Sequence, residues 1–409
     1  MTGLFDGVRV VDLTNVLAGP IATYQLALLG AEVIKIEKPG SGDLARRLGA
    51  DAALNEIGMG ASFLAQNAAK RSLTLDLKAK EGRAAMLRLI ASSDAVVENF
   101  RPGVMDRLGL GYDDLRKYRP DLVMMSMPAY GSSGPYRDYV SFGWAQEHMG
   151  GITSRTGYQG GPPQKTGSIV ADPVNGVHGA IAVMMALVSR AKTGQGRFID
   201  FSQLESMILL SGEAILDYSV NGRPPQRNGN RNHILAPQGV YQCAGKDNWV
   251  CISVTNDAEW AALLGVLRSP ELADVSRFAS LELRLENHAA IDDFINEWTR
   301  HRDKTQVMNE LQNAGVPAAA VLDQAEAYRN PQAESRNFLV ELPHPDGITF
   351  PYSRSPSRFS KTPAEVRTPG PLLGEHNEYL LGTLLGIPNS KRQRLESIGV
   401  TATFSTKLN

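Results

Sequence analysis

Val8-Arg-Val-Val-Asp-Leu13, followed by Gly19-Pro20, a helix-length run over 21–29, Gly30 and then Glu32-Val-Ile-Lys-Ile-Glu37, is the stretch whose reading decides the fold. The two outer runs are short, apolar and rich in β-branched residues, as strands are. The segment between them has helical length and closes on a glycine, the residue best suited to a left-handed helix stop. Strand, helix and strand in succession make a βαβ unit, whose strands are parallel. The alternation continues with strand candidates at 72–77, 95–100 and 122–127 and helical segments at 80–91 and 112–118. It predicts an α/β fold with a mostly parallel sheet covered on both faces.

From 145 to about 218 the pattern turns long and helical, broken by a Gly/Pro-rich loop at 153–163 and again at 193–196. The segment 221–235 is polar and turn-rich, and reads as a linker or an active-site loop. A hairpin at 239–254 and helices at 258–267, 289–300 and 304–314 then suggest a smaller α+β domain reaching to about Leu339. The tail has a loop-like stretch at 351–373 and a helix at 377–385.

The chain has 409 residues, enough for two domains and for burial of roughly three quarters of its unfolded surface. Its net charge of −1, with basic and acidic residues interspersed, lacks the electrostatic footprint of a nucleic-acid binder. Cys243 and Cys251 flank a turn at 245–248 and read as reduced core residues, and the histidines are scattered without zinc-ligand spacing. The N-terminus runs into a strand with no signal-peptide pattern, so a cytoplasmic protein is expected. The apolar run at 174–191 contains Asn175, His178, Ser189 and Arg190, and reads as a buried helix rather than a membrane span.

Asp172, in Gly167-Ser-Ile-Val-Ala-Asp172-Pro173, ends an apolar run where that helix begins. It reads as a helix cap, with Pro173 as first helical residue, or as a nucleophile. The two are compatible, since a cap uses one carboxylate oxygen and the helix dipole favours the ionised form. Familiar signatures fail elsewhere. Gly109-Leu-Gly-Tyr lacks the third glycine of a dinucleotide fingerprint, Gln164 replaces the glycine a phosphate loop needs before Lys165, and no Gly-x-Ser-x-Gly elbow occurs.

A series of motifs does match. It runs through Leu17-Ala-Gly-Pro20, Leu29-Gly-Ala-Glu-Val-Ile-Lys-Ile-Glu37-Lys-Pro-Gly40-Ser-Gly-Asp43, Asn67-Ala-Ala-Lys70-Arg-Ser-Leu-Thr-Leu-Asp76-Leu-Lys78, Glu98-Asn-Phe-Arg-Pro-Gly103, Tyr130-Gly-Ser-Ser-Gly-Pro135, Gly229-Asn-Arg231, Gly315-Val-Pro317 and Pro371-Leu-Leu-Gly-Glu-His376. Together these resemble the class III CoA-transferases, the formyl-CoA and carnitine CoA-transferase type. The resemblance implies ring-shaped subunits interlocked in a dimer, each with a large Rossmann-like domain from 1–220 and 340–409 and a small domain over 221–339. A homodimer is expected, with a heteromer built from a paralogue as the alternative.

On the family pattern the nucleophile falls on Asp172, and Glu147, ahead of Gly150-Gly151, either orients the acyl group or the Asp172 anhydride or is a helix residue paired to a nearby base. The CoA contacts fall on Val16, Leu17, Ala18, Lys38, Leu75 to Lys78, Asn99, Phe100, Arg101 and Arg107. Lys38 stands where arginine is common and Leu17 where glutamine occurs. CoA enters as a substrate thioester, and no further cofactor is implied. The expected reaction moves CoA from an acyl-CoA, with succinyl-CoA the reasonable donor, to a free carboxylic acid. A racemase of the same fold needs a histidine opposite the aspartate, and that position extrapolates to Phe142, which cannot exchange a proton. A non-catalytic subunit of a heteromer is the other alternative, and the retained Asp172 argues against it.

Overall fold

The structure, a computed structural model, describes residues 3–49, 59–273, 275–344 and 347–403. The chain divides into two compact units, one of Met1–Thr153, Lys165–Arg223 and Glu334–Asn409, the other of Ser154–Gln164 and Pro224–Ala333.

The first unit is built on six strands: β1 (Arg9–Asp12), β2 (Glu32–Glu37), β3 (Arg71–Thr74), β4 (Ala95–Glu98), β5 (Val123–Ser126) and β6 (Arg197–Asp200). All are parallel, in the order β3-β2-β1-β4-β5-β6. Alternate strand residues feed opposite faces, as the two-residue repeat requires. Val11, Ile34, Leu73, Val96 and Met124 meet α3 (Lys80–Ala91) on one side. Val10, Val33, Ala95, Val97, Val123 and Met125 meet α1 (Ala18–Leu28) and the long α5 (Ala171–Thr193) on the other. Between these lie α2 (Ala61–Asn67) and α4 (Gly143–Met149), and α6 (Gln203–Leu209) and α7 (Gly212–Asn221) follow.

The order reverses direction between β1 and β4, so the loops after these two strands diverge and leave a crevice at their carboxyl ends. In open parallel sheets that crevice is where ligands bind. Helices α1 and α5 cross close together beneath it, because Gly176 has no side chain: a Cβ there would lie 2.5 Å from Ile21 Cγ2. Helix α5 is long and apolar enough to cross a membrane by length and composition. Here it packs on the sheet, burying Asn175, Gly176, Gly179, Ala180 and Val183.

The second unit is a three-stranded antiparallel sheet of β7 (Gln238–Gln242), β8 (Trp249–Ser253) and β9 (Ala318–Ala320), covered by α8 (Asp257–Leu267), α9 (His288–Thr299) and α10 (Lys304–Asn313). Ser154–Gln164 also belongs to it, whereas the sequence alone leaves that loop in the large domain. The tie is local: Gly229 N–H donates to Gly157 O (2.9 Å), and Arg227 donates to Ser154 O and Gly161 O. Elements that escape the sequence reading include α2, β6, β9, the hairpin of β10 (Leu339–Pro343) and β11 (Thr349–Ser353), and α11 (Asn389–Ser397).

Candidate active site

A cavity of about 480 Å³ opens at the β1/β4 crevice, lined by Asn15–Ala18 from the β1–α1 loop, Asn99–Pro102 from the loop after β4, and Asp172. Phe142, Gly143, Trp144 and Gln146 close it from α4 and the residue before it, and Leu44, Leu48 and Ile169 complete an apolar wall. Such a cavity, mostly apolar with a few convergent polar groups, is the usual form of a small-molecule site.

Asp172 is 9% exposed and has no ion pair among the described residues. Burial pushes its carboxyl up to about 6; a hydrogen bond from the Ala18 backbone N–H opposes the rise, and the Glu147 charge adds to it. Ala18 is the first residue of α1, so the positive end of that helix faces the carboxylate. The fit is tight. A Cβ on Gly143 would lie 2.1 Å from Asp172 Oδ2, so this carboxylate occupies the space a side chain would take.

The capping assignment for Asp172 needs correction. Helix α5 starts at Ala171, two residues earlier than that assignment requires, with Val170 in the cap position, and Asp172 lies inside the first turn without capping it. The free N–H groups are taken by Glu147, whose Oε1 accepts from Val170 N (2.7 Å) and Ala171 N (3.2 Å) while Thr166 Oγ1 donates to Oε2 (2.7 Å). A carboxylate from α4 thus does the work that the local sequence assigns to Asp172. Both oxygens of Asp172 are thereby released from capping. Glu147 itself is fully buried and does not line the cavity.

The expected CoA residues divide into two groups. Val16, Leu17, Ala18, Asn99, Phe100 and Arg101 line the Asp172 cavity. Lys38, Lys78 and Arg107 are exposed and outside its lining, although Lys38 follows β2 at the same carboxyl edge of the sheet. The Leu75 side chain is part of the hydrophobic core, and its N–H donates to Glu37 O (2.9 Å). Asn99 directs its amide inward, accepting from Asn15 N (2.8 Å) and donating to Asn15 O (2.9 Å).

Sequence reasoning missed the buried amides Gln146, Asn175 and Gln203. Asn175 Nδ2 donates to Gln146 Oε1 (3.2 Å) and Gln203 Oε1 (3.4 Å), and Gln203 donates to Met127 O (2.7 Å). Gln146 and Gln203 both line the cavity. The available signal was Asn175, a polar residue one turn after Asp172 in an otherwise apolar helix.

Residues 5–377 match the model of CoA-transferase family III. The chain is 34% identical over 392 residues to a succinyl-CoA--D-citramalate CoA-transferase of Chloroflexus aurantiacus, with 96% of each chain covered. It is also 34% identical over 395 residues to the beta subunit of a succinyl-CoA--L-malate CoA-transferase of the same organism, again over 96% of each. Among solved structures it is similar to a CAIB/BAIF family protein from Brucella suis, with a TM-score of 0.84 and 32% identity over 94% of this chain and 100% of that one. An α/β chain with a carboxylate at the switch point of its parallel sheet, matched to this family over nearly its whole length, belongs to CoA-transferase family III and is a CoA-transferase.

Proposed function

We propose that the enzyme moves CoA from succinyl-CoA to a free carboxylic acid, with Asp172 as the nucleophile. The observation that carries this reading is the buried Asp172 carboxylate, without a cation of its own, at the α1 N-terminus in the switch-point cavity. The relatives named for succinyl-CoA support the donor.

A carboxylate oxygen of Asp172 attacks the thioester carbonyl carbon, the C–S bond breaks, and CoA thiolate leaves a mixed anhydride. The thiolate then attacks Cγ of Asp172, releasing succinate and forming an aspartyl-CoA thioester. The acceptor carboxylate attacks that Cγ, expelling the thiolate and making a second anhydride. Attack of the thiolate on the acceptor's acyl carbon gives the new acyl-CoA and restores the Asp172 carboxylate. Each anhydride is open to hydrolysis, and the apolar wall of Leu17, Leu44, Phe142 and Ile169 serves to keep water away. No step calls for a cofactor.

The CoA thioester approaches over Val16–Ala18 and Asn99–Arg101, while Glu147 orients Asp172 by holding the start of α5. Proton exchange of the racemase type is disfavoured because Phe142 lines the cavity and no histidine is among the lining residues. We further infer a homodimer, interlocked as the family resemblance implies, in the cytoplasm. Its support is an apolar stripe of Val177, Ile181, Met185 and Val188 along the outer face of α5, continued by Leu209 on α6 and Leu216 and Val220 on α7, all exposed in the single chain. A second copy is the occupant of that stripe, with a paralogous chain as the variant on the same plan.

The test is a screen of acyl-CoA donors against free acids with wild type and Asp172→Ala. Succinyl-CoA-dependent transfer that Asp172→Ala abolishes is expected. Normal turnover by Asp172→Ala, or α-proton exchange without any acceptor acid, would overturn the reading.

A further inference from the structure

The turn joining β1 to α1 is held by side chains at consecutive residues. The Thr14 N–H and hydroxyl donate to Asp12 Oδ1 (2.9 and 2.6 Å), and its carbonyl accepts from Lys35 Nζ (2.8 Å). Both backbone groups of Asn15 are bonded to the Asn99 amide. Val16 N–H donates to Asp43 Oδ1 (3.0 Å), which also accepts from Ala45 N (2.9 Å), while Asp43 Oδ2 pairs with Lys35 Nζ at 2.9 Å. The Lys35 and Asp43 side chains are fully buried. Burial would depress the Lys35 ammonium, but the carboxylates of Asp43, Asp12 and Glu37 outweigh it and hold it charged.

The clamp encloses an unfavourable conformation. Val16 has φ +70°, in the left-handed region that a β-branched residue avoids. Two residues on, Ala18 lines the same cavity as Asp172, and its N–H favours the ionised carboxylate.

We propose that Asp43 and Asn99 are positioning residues for CoA transfer: they keep Val16 left-handed and thereby hold the Ala18 N–H and the start of α1 on the Asp172 carboxylate. Asn99 lines the cavity, but its side-chain amide is turned to the Asn15 backbone, so neither side chain need touch the substrate. The proposal rests on Asp172 being the nucleophile, and it adds a reason why this loop has that shape. A preorganised donor fixed by outer interactions is the general way a site avoids reorganising during reaction.

The experiment compares wild type, Asn99→Ala, Asp43→Asn, Val16→Gly and the double variant Asn99→Ala/Val16→Gly. It reads kcat, KM for succinyl-CoA, the acid limb of the pH profile, and the rate at which hydroxylamine traps Asp172. The charged groups around Asp172 are Glu147 behind it and Arg101 and Arg137 in the cavity wall, and all are kept. Asn99→Ala and Asp43→Asn are each expected to lower kcat and the trapping rate by about 10- to 100-fold with little change in KM, since a displaced group costs turnover. The acid limb should move to higher pH, because the lost N–H favours ionised Asp172. Adding Val16→Gly to Asn99→Ala should recover about tenfold of the loss, as glycine takes positive φ freely.

A loss carried by KM, an unmoved acid limb, or a double variant no better than Asn99→Ala would overturn the proposal. If Asp43→Asn fails to fold, the half-buried Asn99 decides. Absence of trapping in wild type would instead refute the nucleophile itself, whereas trapping at equal rates in wild type and the folded clamp variants refutes only the positioning role.

Discussion

Burial lifts the Asp172 carboxyl to about 6, and the Ala18 N–H offsets only part of that rise. Activity that needs the carboxylate should therefore fall as pH drops through about 6, well above the range of an exposed aspartate, and a pH profile of kcat checks this. Stability should run the other way. A carboxyl whose folded pKa is raised binds its proton more tightly in the folded state, so its destabilisation is complete above about pH 6 and disappears below its ordinary value of 3.8. Asp172→Asn is accordingly expected to gain on the order of 1–3 kcal/mol at pH 8, little at pH 4, and to lose turnover. Denaturant unfolding at the two pH values measures it. Gly143→Ala tests the fit from the other side. Its Cβ would meet Asp172 Oδ2 and Ile169 Cγ2, and displacing the carboxylate should reduce kcat on the order of 100-fold with KM nearly unchanged.

At the scale of elements, the start of α5 depends on α4 through Glu147. Glu147→Ala should cost about 1–3 kcal/mol in urea unfolding, because the Val170 and Ala171 N–H groups lose their buried acceptor. Glu147→Gln keeps an acceptor but removes a charge that raises the Asp172 carboxyl, so its acid limb should shift to lower pH. That dependence also explains why the sequence misplaces the cap. Asp-Pro before an apolar run carries the local signal for a cap, while the residue that supplies it lies on another helix. Gly143 is hidden for the same reason, since only the folded contact with Asp172 explains a glycine in the first turn of α4. Strand β6, Arg197–Asp200, escapes because it is a short edge strand with mostly exposed residues and so has no apolar run to mark it.

For the whole molecule, alternation of apolar runs made the parallel sheet legible, and β2 and α3 have the bounds that periodicity predicts. The order β3-β2-β1-β4-β5-β6 was not legible, because sequence pattern names strands and leaves their neighbours open. The crevice that gathers Val16–Ala18, Asn99–Arg101 and Asp172 follows from that order, and the motifs supplied these residues before the geometry did. The apolar stripe on α5 bears on assembly. Met185, 67% exposed in the single chain, sits in its middle, so Met185→Lys should weaken the dimer, lowering the urea concentration at which light scattering shows its loss. The claim on which all of this depends is that Asp172 becomes covalently acylated. Wild-type enzyme mixed with succinyl-CoA and hydroxylamine, with no acceptor acid, is to be digested and mapped by mass spectrometry. A hydroxamate confined to Asp172, and absent from Asp172→Ala, is expected; an unmodified Asp172 in an enzyme that turns over normally would contradict the account.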